Sequence, residues 1–572
     1  MPLERLPEMK GNALSGKGVA GRDPRLRPKT IDWAIIVAGM LFVVVFAITR
    51  LPFFLYYRNV IINPDSSGYF MISDQISKGF WPNLSIRTLG YPVFLKIVYL
   101  IFSTSTAVAV AQHAIALVSR LFFIRAMARA FPRRPLVPLA VSVALAAHAA
   151  TSSHILSDSS FMTDSLFISA VVTTLGLLIL GLARRTKAVF VAASLSAAGT
   201  ILVRPAGSFL VLVLALAVVF MVRNRFGRGR VIAVTLPCAA VLLTQMAYNS
   251  LTMGTFSLSA FPEHEMISLT STFLEPDASY SHAANRAIAR CRSVFRPRDF
   301  LILKTSWDPK AIKRIFKRYY DRNRVRIAQV FLSEEPADRY NLYLKWRPLW
   351  RRMAGDALRK HPVFALKYMG SSLYAVFWSN LWRQANLYRE LRNNCLDSGR
   401  RLKMILPFGV PNSSFNRRFN TSEYSATLTP SGFARSMLPE LYGKDGLLRS
   451  PDPLTPDRRN EPLTRVFERL HKSLISVHSV VFRNPGWTLA LLAAWAFSVA
   501  RLFRTGFRHR GAFTLFLLTS SALIYGILIS LLALPVLRYT YNLEFVYYLS
   551  PFLWPIALGR GDAAGGPSGT PG

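Results

Sequence analysis

Long apolar runs punctuated by short, arginine-rich breaks dominate the first half of the chain and return near its end. Trp33–Ile48, Leu136–Ala150, Leu166–Leu182, Phe209–Val222 and Phe513–Leu534 contain no Asp, Glu, Lys or Arg. A helix needs about 20 apolar residues to cross the ~30 Å hydrocarbon layer, so the shorter runs borrow flanking residues or tilt. The pattern predicts ten crossings. They lie near Ile31–Tyr56, Ser105–Ile124, Leu136–Ala150, Phe161–Leu182, Ala188–Val203, Ser208–Val222, Val231–Tyr248 and Trp487–Ala500, then a ninth around Phe513–Leu534 and a tenth at Phe545–Leu558. The apolar piece Tyr91–Phe102 contains Lys96 and is short for a crossing, so it is expected to lie in the interface.

With that count, every short basic break falls on one side. Arg22, Arg25, Arg27 and Lys29 precede the first run; Arg125–Arg134, Arg184–Lys187, Arg223–Arg230 and Arg501–Arg510 follow even-numbered crossings. The positive-inside rule makes that side cytoplasmic and the first run an uncleaved anchor. The expected organisation is a basic cytoplasmic segment (1–30), a transmembrane core (31–250) with a first external loop (58–104), an extracytoplasmic or interfacial region (251–484), C-terminal transmembrane helices (485–560) and a Gly/Pro-rich, disordered tail (561–572). The 251–484 region is too long for a connection and should carry structure of its own. Within it, Val363–Trp382 is apolar enough to cross or to lie in the interface; the charge pattern favours the interface. The fold class is therefore an all-α polytopic bundle of about ten transmembrane helices with amphipathic interfacial helices.

Composition agrees. Of 572 residues, 51% are hydrophobic, and the mean hydropathy is +0.28, which a soluble chain of this length rarely reaches. The net charge of +40 would suggest nucleic acid on a soluble protein; here the short loops account for much of it, and anionic lipid head groups or a phosphorylated lipid substrate suit the remainder. Cys238 sits in an apolar run as a packing residue, whereas Cys291 and Cys395 could pair if their region is extracytoplasmic. No His/Cys/Asp spacing matches a zinc site and no glycine-rich loop matches a nucleotide cradle.

The topology gathers candidate chemistry on the outer face: Asp65, Tyr69 and Arg87 after the first crossing, His154, Asp158 and Asp164 between the third and fourth, Arg204 after the fifth, and Arg538 with Tyr539 after the ninth. Ionisable groups at membrane depth are functional candidates. Each also has a plainer explanation: Asp65 and Asp164 can cap helices, Arg204 and Arg538 can snorkel, and His154 can be a packed turn residue.

Taken together, Asp65-Ser-Ser-Gly-Tyr69, Arg87-Thr-Leu-Gly-Tyr-Pro92, Met162-Thr-Asp-Ser-Leu-Phe167, Leu202-Val-Arg-Pro-Ala-Gly207 and Arg538-Tyr539 resemble the GT-C integral membrane glycosyltransferases, which include protein O-mannosyltransferases and lipid A aminoarabinose transferases. Leu89 stands where the family commonly has proline, and Ser66 where many members carry a second acid. The resemblance covers roughly residues 30–250 and 485–560. It implies an inverting transfer from a polyprenyl-phosphate sugar to a lipid, glycan or protein acceptor at the extracytoplasmic face of a bacterial inner membrane. In that scheme Asp65 is the general base and Asp164 orients the acceptor or an arginine. Arg87, Arg204 and Arg538 bind the donor phosphate, and Tyr69, His154, Asp158 and Tyr539 line the acceptor pocket. No nucleotide or other cofactor is required, and a divalent metal is possible but not indicated. Two other functions fit a polytopic chain: a transporter or lipid flippase, for which repeated halves and mid-span charges would be expected, and a non-catalytic assembly factor.

Overall fold

The computed structural model describes residues 27–56, 69, 72–73, 76, 88–102, 105–253, 256–259, 261–334, 342–379, 486–532 and 542–558, with single positions between 462 and 481. Among them every regular element is helical. Seven helical stretches are long and apolar enough to cross a membrane: Asp32–Leu51, Thr106–Ala130, Thr163–Arg184, Pro205–Arg223, Arg228–Leu251, Gly486–Arg504 and Arg510–Ser530. The helices that contain them are α1 (Arg27–Tyr56), α3 (Ser105–Ala130), α6 (Thr163–Arg184), α8 (Phe209–Arg223, entered through a 3-10 turn at Pro205–Ser208), α9 (Arg228–Met253), α16 (Gly486–Arg504) and α17 (Arg510–Leu532).

The third and fifth expected crossings are shorter, α4 (Leu136–Ala149) and α7 (Lys187–Val203), and α4 is followed after a two-residue break by α5 (Ser152–Asp158). The tenth is broken into α18 (Glu544–Leu549), a 3-10 turn at Ser550–Leu553 and α19 (Trp554–Leu558). Pro551 and Pro555 account for that break, because each removes a backbone donor and crowds the preceding turn. The interfacial candidate forms α2 (Gly90–Phe102), which buries Tyr91, Pro92, Leu95 and Val98 and leaves Ile97, Leu100, Ile101 and Phe102 exposed.

One apolar core runs through these helices, with α6 packed between α3 and α7, α7 against α9, α1 against α4, and α17 against α8 and α16. Side chains that stay exposed on α1, α8, α9 and α16 are largely aliphatic, as expected where the solvent is lipid. The arginine-rich breaks meet at one end. Arg230 donates to the Arg185 carbonyl at 2.5 Å, Asn224 donates to that of Phe507 at 2.9 Å, and Arg129 pairs with Asp32 at 3.0 Å. The chain alternation read from charge is thus the alternation of the helices.

A second core belongs to the polar region. It is built from α10 (Phe261–Thr270), α11 (His282–Arg292), α12 (Pro297–Thr305), α13 (Pro309–Glu334), α14 (Leu342–Lys360) and α15 (Pro362–Tyr374) around Ile288, Phe316, Tyr319, Trp350, Met353 and Tyr368. Cys291 is a buried free thiol there, pushed up to about 12 by burial against the lesser effect of Arg326; Cys395 lies outside the described residues. The segment expected at the interface begins as α15 and widens into a π-type turn at Ala375–Ser379. Thr488, in the first turn of α16, donates to the Phe377 carbonyl at 2.7 Å, and the Phe377 ring lies over Gly526 of α17. The helical domain therefore joins the bundle at the end away from the arginine-rich loops.

Candidate functional site

Chain breakers shape that end. Pro205 forces its predecessor out of helical geometry, so α7 stops at Val203 and Arg204 is extended (φ −155°, ψ 127°). Its guanidinium is thereby turned toward the first turn of α6, where it pairs with Asp164. Asp164 has no exposed surface. An acid in the first turn suits the positive end of a helix, yet only Oδ1 is engaged; Oδ2 is buried without a hydrogen-bond partner among the described residues. The Arg204 guanidinium also lies 5.7 Å from the centre of the Phe167 ring.

Gly90 brings the external-loop motif to the same place. A Cβ there would stand 2.6 Å from the Val203 nitrogen and 2.7 Å from the Leu202 carbonyl carbon, so only glycine admits this approach. Tyr91 follows, wholly buried, with its ring 4.9 Å from that of Tyr69 in an edge contact. The Tyr69 hydroxyl lies 3.5 Å from that of Thr163, next to Asp164. Three segments separated by about seventy and forty residues in sequence, the one carrying Tyr69 and Gly90–Pro92, the start of α6 and the end of α7, converge here.

Behind them is a polar network with almost no exposure. Arg50, in the last turns of α1, donates from Nη2 to Asp158 Oδ2 at 2.7 Å, from Nη1 to Thr49 Oγ1 at 2.9 Å, and also from Nη1 to the Ala149 carbonyl. Ser165 donates to Asp158 Oδ1 at 2.6 Å, and His113 lies 3.9 Å away. Burial would raise the Asp158 carboxyl, but Arg50, with His113 and Arg120, outweighs it and holds the group below its ordinary range. Gln112 donates to the Asp158 and Ser160 carbonyls, both at 2.9 Å, and accepts from the Tyr91 hydroxyl at 2.7 Å. The network thus ties α1, α3, α5 and α2 to one loop. His154 turns inward as well, its Nε2 2.6 Å from that of His148.

Of the residues singled out in the sequence, Tyr69, Asp164 and Arg204 are brought together, while Asp158 and His154 lie in the closed network beside them. Asp65, Arg87, Arg538 and Tyr539 lie outside the described residues; the described Tyr69 and Thr88 are four residues after Asp65 and one after Arg87. Sequence reasoning missed Arg50, Gln112, His113, Arg120 and His148, and quoted Tyr91 within a motif without a role. Arg120, fully buried in α3, was detectable as a charge well inside an apolar run. A buried acid near the broken tenth crossing was also passed over: Glu544 accepts from Tyr548 at 3.4 Å. Among the described residues no group of three or more His, Cys, Asp or Glu is placed to hold a metal ion.

Comparison with known proteins adds little. No family model and no curated protein matches the chain. A crystal structure of ArnT from Cupriavidus metallidurans bound to undecaprenyl phosphate is similar at 13% identity and a TM-score of 0.30, over 91% of this chain and 78% of that one. A superposition at that score bears on neither fold nor chemistry, and the functional reading stands on the residues themselves.

Proposed function

We propose that this chain is a GT-C-type membrane glycosyltransferase. It moves a sugar from a polyprenyl-phosphate donor, with inversion, to an acceptor at the face that carries Asp164 and Arg204. The carrying observation is the convergence of three segments that resemble family motifs and are remote in sequence: Gly90 against Val203, Tyr69 beside Thr163, and Asp164 paired with Arg204.

In this reading the acceptor hydroxyl attacks the anomeric carbon as the bond to the carrier phosphate breaks. The acceptor proton passes to Asp65 as general base, and the phosphate leaves with the bonding pair. Because Asp164 neutralises Arg204, the pair offers the phosphate oriented N–H donors and little net charge. Arg87 and Arg538 then supply the charge that stabilises the leaving group. Asp164 acts as a positioning residue for Arg204, and the Arg50–Asp158 network fixes the loop that begins α6.

The test is incubation of the purified protein with a panel of polyprenyl-phosphate sugars, scoring transfer and donor hydrolysis. At least one donor should turn over, and Asp65→Asn should keep donor binding while lowering turnover by on the order of 10²-fold or more. Binding without turnover of any donor, or an undiminished Asp65→Asn variant, would overturn the assignment.

A further inference from the structure

Among the described residues, the helical domain leaves its large apolar side chains exposed in one place. Between residues 261 and 379 the described exposed examples are Phe300, Leu301 and Trp307 on and just after α12, and Val363 and Leu366 at the start of α15. The two segments pack on each other and make one patch. Lys367 locks them together: its buried ammonium donates to the Leu303 and Lys304 carbonyls at 2.8 and 2.9 Å and lies 4.8 Å from the centre of the Trp307 ring. The chain thus satisfies the last carbonyls of α12 with a buried cation while leaving Trp307, 65% exposed, facing outward.

The surroundings of the patch identify its partner. Arg296, Arg298, Lys304 and Lys310 are exposed around it. The nearby acids offset them only in part: Asp299 turns inward to Arg318 and Tyr319, each at 2.6 Å, which leaves the exposed Asp308, a cap on the first backbone N–H groups of α13, against four cations. Aromatic and aliphatic side chains interleaved with exposed cations suit the headgroup layer of an anionic bilayer. The position suits it too. The α15 helix starts in the patch and is about 20 Å long at 1.5 Å per residue, and the turn that continues it packs on Gly526 within a membrane crossing.

We propose that α12 and the start of α15 form a foot that seats the helical domain on the anionic phospholipid surface of the leaflet at the site end of the bundle. The inference needs only the crossings and stands whether or not the sugar-transfer reading holds.

The full-length protein is reconstituted in nanodiscs of phosphatidylcholine with or without phosphatidylglycerol. An environment-sensitive fluorophore is attached at Trp307→Cys, Leu301→Cys or Leu366→Cys, with Arg290→Cys as a polar control, and headgroup-level doxyl lipids serve as quenchers. Labels at the three patch positions should be quenched and the control should not, more strongly with phosphatidylglycerol. Joint replacement of Arg298, Lys304 and Lys310 by Gln should reverse the phosphatidylglycerol effect, since each cation near such a surface contributes roughly fivefold to partitioning. Absence of lipid quenching at the patch overturns the proposal, as does cross-linking between copies through these cysteines with no lipid quenching, which would make the patch a protein interface.

Discussion

Removing one half of the Arg50–Asp158 pair should be far more damaging than removing both. The two side chains are 2% and 1% exposed and 2.7 Å apart. Arg50 also holds Thr49 and the end of α4 at Ala149, while Asp158 also holds Ser165. Asp158→Asn strands a guanidinium among helices where water cannot replace the carboxylate. Breaking a buried pair from one side costs about 3–5 kcal/mol, so Asp158→Asn and Arg50→Met should each be destabilised on that scale. The double variant leaves no buried charge from the pair and should recover a substantial part of the loss, giving a coupling of roughly 2 kcal/mol or more. Two buried cysteines supply the assay. Cys238 reports the bundle and Cys291 the helical domain, so thiol labelling against temperature, with Cys395→Ser as background, separates the two. The single variants should expose Cys238 at lower temperature and shift Cys291 less. Single variants no worse than the double would refute a charge-coupled network and leave ordinary packing in its place.

Gly90→Ala should separate two motifs, because its new methyl meets the Val203 backbone at 2.6 Å; a loss of about 1–3 kcal/mol with reduced donor turnover is expected, and unchanged thermal labelling of Cys238 would contradict the close approach. Arg204→Gln should weaken donor binding about 10- to 150-fold, the equivalent of about 1.5–3 kcal/mol for a charge-assisted contact; Arg204→Lys should recover only part of it, whereas equal affinity in all three would mark Arg204 as structural. Acid should loosen the helical domain. Burial works against the Glu263 carboxylate but Arg347 and Arg351 lower it, and Tyr319 with Arg318 does the same for Asp299. Asp277 falls to about 2 through Ser279 and Lys360. Groups lowered by folding stabilise fully above their unfolded values near 4 and lose that contribution as pH falls through the folded ones. Cys291 labelling, read after brief acid exposure and return to neutral pH, should therefore rise from about pH 4 downward; a flat profile to pH 2 would contradict these pairings.

Much of the bundle was legible because lipid leaves a blunt record: apolar runs, and arginines confined to one set of breaks. Asp164 and Arg204 were legible because each sits beside a local signal, a helix start and an Arg-Pro step. Arg50 carried no such signal, since a cation in the last turn of an apolar run reads as a snorkeller until Asp158 is seen against it. Gln112 was hidden for the converse reason; its partners, Tyr91 and the Ser157–Ser160 backbone, come from separate loops, and pairing across them is a property of packing. The helical domain was foreseen only as structured polar sequence. Its two longest helices, α13 and α14, are rich in Lys and Arg, and the shared core at Phe316, Trp350 and Tyr368 emerges only when the helices are stacked.

The brevity of α4 and α7 has a consequence for where chemistry occurs. At 1.5 Å per residue, 14 and 17 residues span about 21 and 26 Å, against a ~30 Å hydrocarbon slab. Measured from the arginine-rich surface, both helices end before the far headgroups begin. In the proposed transfer, Arg204 at the end of α7 would therefore take the carrier phosphate below the level of the far headgroups. A donor held there would be shielded from adventitious hydrolysis by the thickness of the bilayer itself.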